Sequence, residues 1–163
     1  MNFYRGVRTR GLTPIYNLAS GNGVFKSLAQ IVFGDASKFE LMRHMIVHRM
    51  QSFPKKYNRK IHDFPTYCTQ MSMYGKPASP LELQVAADIF LSVVELYAND
   101  DFQVPYHTIR PERLYSESKS YIRLWMHGSH CVALIDKKSK PQIQNVQAEE
   151  ETRIQIMNSV LFA

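Results

Sequence analysis

Residues 20–28 read SGNGVFKSL, a run of residue types that chemistry often uses. Gly21 and Gly23 flank Asn22, and Lys26 and Ser27 follow before an apolar run. A turn of this kind ahead of a helix can cradle a phosphate, hold a nucleophile, or only redirect the chain. The phosphate reading fails on spacing. A phosphate loop needs G-x-x-x-x-G-K-[ST], with glycine directly before lysine so that backbone N–H groups wrap the phosphates. Phe25 stands before Lys26 here. A dinucleotide G-x-G-x-x-G would need glycine at Lys26, and no buried strand precedes the turn.

Other reactive groups are sparse. His44 and His48 stand four apart on a predicted helix, but no further ligand follows at a metal-site spacing. Cys68 has no basic or glycine-rich loop beside it. Cys131 follows His130 in a predicted strand, where successive side chains point to opposite faces. Neither cysteine forms a Cys–His pair in the sequence, so both read as structural. No metal and no cofactor is expected.

The elements around these groups are legible from period and punctuation. Val24, Phe25, Leu28 and Val32 fall on one helical face, with Asn22 as the expected N-cap and Gly34 as the stop. A second helix follows Asp35, with Phe39, Met42, Ile46, Met50 and Phe53 as its apolar stripe and Pro54 at its end. A short helix is expected from about Thr66 to Met73. Ser79 and Pro80 then open a third clear helix, buried through Leu81, Leu83, Ala86, Ala87 and Phe90. SVVELYA reads as a strand, and 104–115 holds another, broken by Pro111. SYIRLWM and HCVALID read as a hairpin about HGS. Residues 1–19 read as an extended arm. The chain closes with a charged linker and an amphipathic segment bearing Ile154, Met157, Val160 and Leu161. Helices first and strands later argue for an α+β fold.

Composition narrows the class. The chain has 163 residues, 45% hydrophobic and 21% charged, enough for one domain with a proper core. No apolar run reaches the length of a membrane span, no signal-peptide core follows Met1, and no N-x-S/T sequon occurs. Two cysteines are too few for a disulfide framework, so an intracellular protein, cytoplasmic or nuclear, is expected. The net charge of +6 gathers at Arg5, Arg8 and Arg10, at 55–60 and at 137–140. No nucleic-acid motif accompanies these clusters, so binding there is expected to be weak and non-specific at most.

SGNGVFKSLAQIVFGD, SKFELMRHMIVHRMQSF, YGKPASPLELQVAADIF and HCVALI, in this order and spacing, resemble the ovarian-tumour (OTU) domain of cysteine deubiquitinases. That family opens with D-G-N-C-L-F-R-A at a turn into a helix. It continues with G-x-x-E-L-x-A-x-A and ends on a strand that starts H-Y-[DN]-S-V. The resemblance spans roughly residues 17–136. It implies an OTU-like fold of the papain-like cysteine protease superfamily, with helices packed around a small central β-sheet.

Laid on this motif, the aspartate position is Ser20, the glycine Gly21, the asparagine Asn22, and the nucleophilic cysteine Gly23. The family histidine falls on His130, and the residue that orients it on Val132. Glycine cannot attack a carbonyl, and valine cannot hold an imidazole tautomer. The resemblance therefore implies a pseudoenzyme, a pseudo-deubiquitinase kept as a protein–protein interaction or scaffolding module. Two alternatives stand beside it. One is an active deubiquitinase carrying an engineered Cys-to-Gly change at Gly23, against which Ser20 and Val132 both count. The other is an RNA-associated basic domain. Residues 1–136 are expected to form the OTU-like domain with its arm, and 137–163 the linker and C-terminal helix. Expected partners are another protein, ubiquitin among the candidates, or a second copy of the chain, and no membrane. Candidate partner-binding residues are Phe3, Tyr4, Ile154, Met157, Leu161 and Phe162, with Tyr16, Tyr57, Phe102 and Tyr106 as further apolar residues outside the helix stripes.

Overall fold

The apolar stripe that starts at Val24 winds into α1, Gly23–Phe33, and stops at Gly34, whose φ of 73° is left-handed. The computed structural model describes residues 11–18, 20–98, 104–113 and 120–136. Asp35 then accepts from the Ser37 N–H and starts a 3₁₀ turn, Ala36–Lys38, that runs into α2, Phe39–Ser52. Pro54 does end α2, but it also opens one more helical turn, α3, Pro54–Tyr57. Helix α4, Phe64–Met71, begins two residues before its expected start because Asp63 caps it through the Thr66 N–H. Helix α5, Pro80–Phe90, opens on a capping box. Ser79 accepts from the Leu81 N–H, and Glu82 accepts from the Ser79 N–H at 2.7 Å.

Among the described residues, five strands follow the order β1-β5-β4-β2-β3. They are β1 Leu12–Ile15, β2 Ser92–Tyr97, β3 His107–Ile109, β4 Ser120–His127 and β5 His130–Asp136. The arm thus contains an unexpected strand. β1 pairs antiparallel with β5, Leu12 opposite Asp136, and Pro14 is tolerated because β1 is an edge. The β4–β5 hairpin closes with His127 opposite His130, and Gly128 at the turn has a φ of 57°. β2 runs parallel to β4, so the sheet is mixed.

Alternation gives the sheet two faces. Val94, Leu96, Ile109, Ile122, Leu124 and Cys131 join the helices in one large core with Phe25, Leu28, Met42, Ile46 and Met50. The other face carries Leu12, Tyr97, Val132 and Leu134, with Trp125 packed against them. Two expectations about apolar residues fail. Phe53 is exposed, its ring under the Arg49 guanidinium rather than in the α2 stripe. Tyr57 is wholly buried, because its hydroxyl donates to Asp88 at 2.8 Å.

One cation organises the helical side. Arg43 is 4% exposed. It donates to the carbonyls of Met71 and Lys76, both at 2.8 Å, and to Asn22 Oδ1 at 2.8 Å. Its guanidinium lies 4.0 Å from the Phe25 ring centroid. Burial pulls the Arg43 pKa down, opposed by the charges of Glu82 and Glu40. Replacing Arg43 by Met removes this donor from the Met71 and Lys76 carbonyls and leaves Asn22 Oδ1 with the Gly75 N–H alone, and urea denaturation should show a loss of about 3 kcal/mol. An unchanged midpoint would remove Arg43 from the centre of the fold.

Candidate functional site

The entrance to α1 meets the start of β5 at one end of the sheet, and the loop before α5 closes over it. Gly21 has a φ of 78°, and a Cβ there would overlap the Gly75 carbonyl oxygen. This approach of two backbones tolerates only glycine. Asn22 occupies the N-cap position, and its carbonyl accepts from the Lys26 N–H at 2.9 Å. Its side chain does not cap the helix, contrary to expectation. Instead Asn22 Oδ1 accepts from Arg43 and from the Gly75 N–H at 2.9 Å, and Nδ2 reaches Ser20 Oγ at 3.4 Å. The amide is spent on tying the turn to the loop.

Gly23 is different in kind from Gly21. Its φ lies outside the left-handed region, so the backbone does not require glycine. A Cβ at this position would sit 3.4 Å from Asn17 Oδ1, 3.8 Å from the Cys131 nitrogen and 3.9 Å from Cys131 Cβ. These are tolerable contacts. The space of a side chain exists here and glycine leaves it empty.

Asn17, on the arm, sews this corner together. Its Nδ2 donates to Ser27 Oγ at 3.0 Å, to the Cys131 carbonyl at 3.2 Å and to the Gly23 carbonyl at 3.4 Å. Ser27 also donates to the Cys131 carbonyl at 2.9 Å. Asn17 Oδ1 is shielded from solvent and has no hydrogen-bond partner among the described residues. Sequence reasoning missed Asn17, Ser27 and Gly75. Only Arg43 left a signal, since it shares the helical spacing of Ile46 and Met50 and so had to face inward.

The remaining motif positions separate. His130 is exposed at the first residue of β5, whereas Cys131, next in line, is buried against α1. Burial pushes the Cys131 thiol up to about 12 despite the Ser27 hydroxyl. Burial also raises the Cys68 thiol, with Glu82 adding to the shift. Val132 sits in the apolar face with Leu12, Tyr97 and Leu134. Phe3, Tyr4, Phe102, Ile154, Met157, Leu161 and Phe162 lie outside the described residues, as do the basic clusters at Arg5, Arg8, Arg10 and 137–140. Tyr16 and Tyr106 are exposed, and so are Leu18, Met73 and Tyr74. Among the described residues no group of His, Cys, Asp or Glu could hold a metal ion. No described helix is long and apolar enough to cross a membrane.

No family model matches the chain, and no curated protein matches it. Solved structures do. The OTU domain of OTUD1 superposes with a TM-score of 0.71 at 18% identity, over 81% of this chain and 91% of that one. An OTU domain in complex with ubiquitin gives 0.60 at 16% identity, over 91% and 86%. The Hazara virus OTU bound to ubiquitin gives 0.59 at 14% identity, over 80% and 85%. The chain therefore has the expected α+β, OTU-like fold, with helices packed around a mixed sheet.

Two outcomes check this geometry. G21A should cost at least about 2 kcal/mol, whereas G23A should gain about 0.5–1 kcal/mol by restricting the unfolded chain. Equal losses in urea denaturation would show that both glycines serve the backbone. The 3.9 Å separation from Cys131 Cβ also falls in the range of a disulfide, typically about 3.8 Å. Under mild oxidant, G23C should lose two thiols to a cross-link with Cys131 and leave Cys68 free, as read by mass spectrometry. Retention of all thiols would displace position 23 from Cys131.

Proposed function

We propose that this chain is a catalytically inactive OTU-like domain that serves as a protein-binding module. The observation that carries the reading is Gly23. It stands at the first turn of α1 with ordinary backbone and with room for a side chain, yet supplies no nucleophile. Neither native cysteine substitutes for it, because both are buried and hold their protons. Val132, at the position that would orient His130, contributes instead to an apolar cluster with Leu12, Tyr97 and Leu134.

Apolar side chains border the same corner. Leu18 follows Asn17 and is 81% exposed, and Met73 and Tyr74 precede Gly75 and are 56% and 69% exposed. Such a rim offers area to a protein rather than to a small ligand. Two of the similar structures hold ubiquitin, which makes ubiquitin the first partner to test. The basic stretch at 55–60 supports nucleic-acid binding poorly, because Lys56 is already paired with Asp88 and Glu112.

The protein should leave ubiquitin chains intact and form no adduct with a ubiquitin bearing a thiol-trapping electrophile. G23C, kept in reductant, should cleave little, because His130 still lacks an orienting partner. Vigorous cleavage by that single variant would return the chain to the enzymes. Binding of ubiquitin should be titrated beside capture of cellular proteins. L18D and M73D should each weaken the association found by about tenfold or more with little change in the thermal midpoint. If neither substitution affects any association, the rim is not the binding surface.

A further inference from the structure

A concavity remote from Gly23 lies at the far edge of the sheet. A cavity of about 300 Å³ opens between the turn after α3, the first turns of α5 and strand β3. Among the described residues β3 is an edge strand, and β4 and β2 stand between it and β5. Three strand spacings of about 4.8 Å set β3 about 14 Å from β5. No described residue of the cavity belongs to the rim of Leu18, Met73 and Tyr74.

The floor of this cavity is hydrocarbon. Ile109 is buried, Ile61 and Leu81 are half-buried, and all three are continuous with the main core. His107 stands two residues before Ile109 on the same face of β3, so its imidazole borders the floor. Gln84, one turn along α5 from Leu81, forms a wall. Its Nε2 is spent on Asp88 Oδ1 and on the Arg110 carbonyl.

The charge is one-sided. Arg59 borders the cavity, is exposed, and has no hydrogen bond or ion pair to its side chain among the described residues. The carboxylates of this region are engaged elsewhere. Asp88 and Glu112 both pair with Lys56, and Glu82 accepts from Ser79 and Tyr67. The turn that carries Arg59 is shaped in advance. The Arg59 N–H donates to the Tyr57 carbonyl at 2.8 Å and the Lys60 N–H to the Asn58 carbonyl at 3.0 Å. Lys60 takes a left-handed φ of 60°, which a residue other than glycine keeps only where its surroundings hold it. Tyr57 supplies that hold, since it is wholly buried and donates to Asp88.

We infer that this cavity docks a short acidic segment of a protein partner. An aliphatic side chain of the segment sits on Ile61, Leu81 and Ile109, and a neighbouring carboxylate pairs with the Arg59 guanidinium. Volume decides against a cofactor, because small-molecule sites run from about 300 to 1,000 Å³ and this cavity stands at the lower end, with room for one or two side chains. A planar guanidinium without a partner matches a carboxylate in two parallel hydrogen bonds. Nucleic acid fits less well, because the floor offers aliphatic carbon where a base needs an aromatic face.

Peptides selected against the full chain from a random heptapeptide phage library are the probe. Enriched peptides should carry Asp or Glu beside Leu, Ile, Val or Met, and should bind R59E about tenfold or more weakly. R59E reverses an exposed charge without a partner, so its thermal midpoint should hold. With isotope-labelled methyl groups, a saturating peptide should move the signals of Ile61, Leu81 and Ile109, and L18D should bind it as the native chain does. Failure to enrich any acidic peptide, equal affinity for R59E, or methyl shifts confined to other residues overturns the inference. Loss of binding in L18D also overturns it, by placing the peptide on the rim near Gly23. So does movement of the same methyl signals by an oligo(dT) of about 20 nucleotides at physiological salt and not by the peptides, which would assign the cavity to nucleic acid.

Discussion

The helical side of this fold rests on a guanidinium in the interior. Arg43 reaches three separate pieces of chain at once: the turn into α1 through Asn22, the end of α4 through Met71, and the following loop through Lys76. Desolvating a cation is costly, and it is offset here by three short hydrogen bonds and the face of Phe25. Hydrocarbon of equal volume could fill the space but could not set the loop's height. That height matters, because Gly75 then donates to Asn22 and its carbonyl presses on Gly21. The conformation of the turn ahead of Gly23 is thus specified from below by a residue on a different helix.

This arrangement separates architecture from chemistry at neighbouring positions. Gly21 and Asn22 are fixed by packing and by buried hydrogen bonds, whatever the protein does. Gly23 and Val132 answer to no such demand in the helical core. Gly23 leaves a space unfilled, while Val132 meets the needs of the sheet's other face. A fold built this way can lose a nucleophile and keep its shape, since the residues that shape the turn are not those that would perform the reaction.

Local punctuation made much of the fold readable. The Gly34 stop, the Ser79–Pro80 start and the turn of the β4–β5 hairpin all stand where composition put them, because each depends on a few adjacent residues. β1 escaped because nothing local marks it. Its reason for being a strand is β5, more than a hundred residues later, and Pro14 argues against it until its place at the edge is known. Asn22 looked like a cap because asparagine before a helix usually is one. A buried arginine outcompeted the helix N–H groups for its oxygen. Asn17 and Ser27 were hidden for a similar reason, since both act on Cys131 across the fold. Tyr57 misled because its aromatic ring suggested a surface contact while its hydroxyl had a buried carboxylate to meet.

The pairing of Leu12 with Asp136 has a mechanical consequence. The two ends of the sheet's outer ladder lie side by side, so tension applied through both flanking segments loads a single pair of residues first. Antiparallel strands pulled from the same end part like a zipper, one pair after another, rather than sharing the load in shear. Within this ladder, tension along that axis parts Leu12 from Asp136 before Ile15 from Ala133. The β2–β4 ladder, which is parallel and lies deeper in the sheet, is not loaded until the edge has opened.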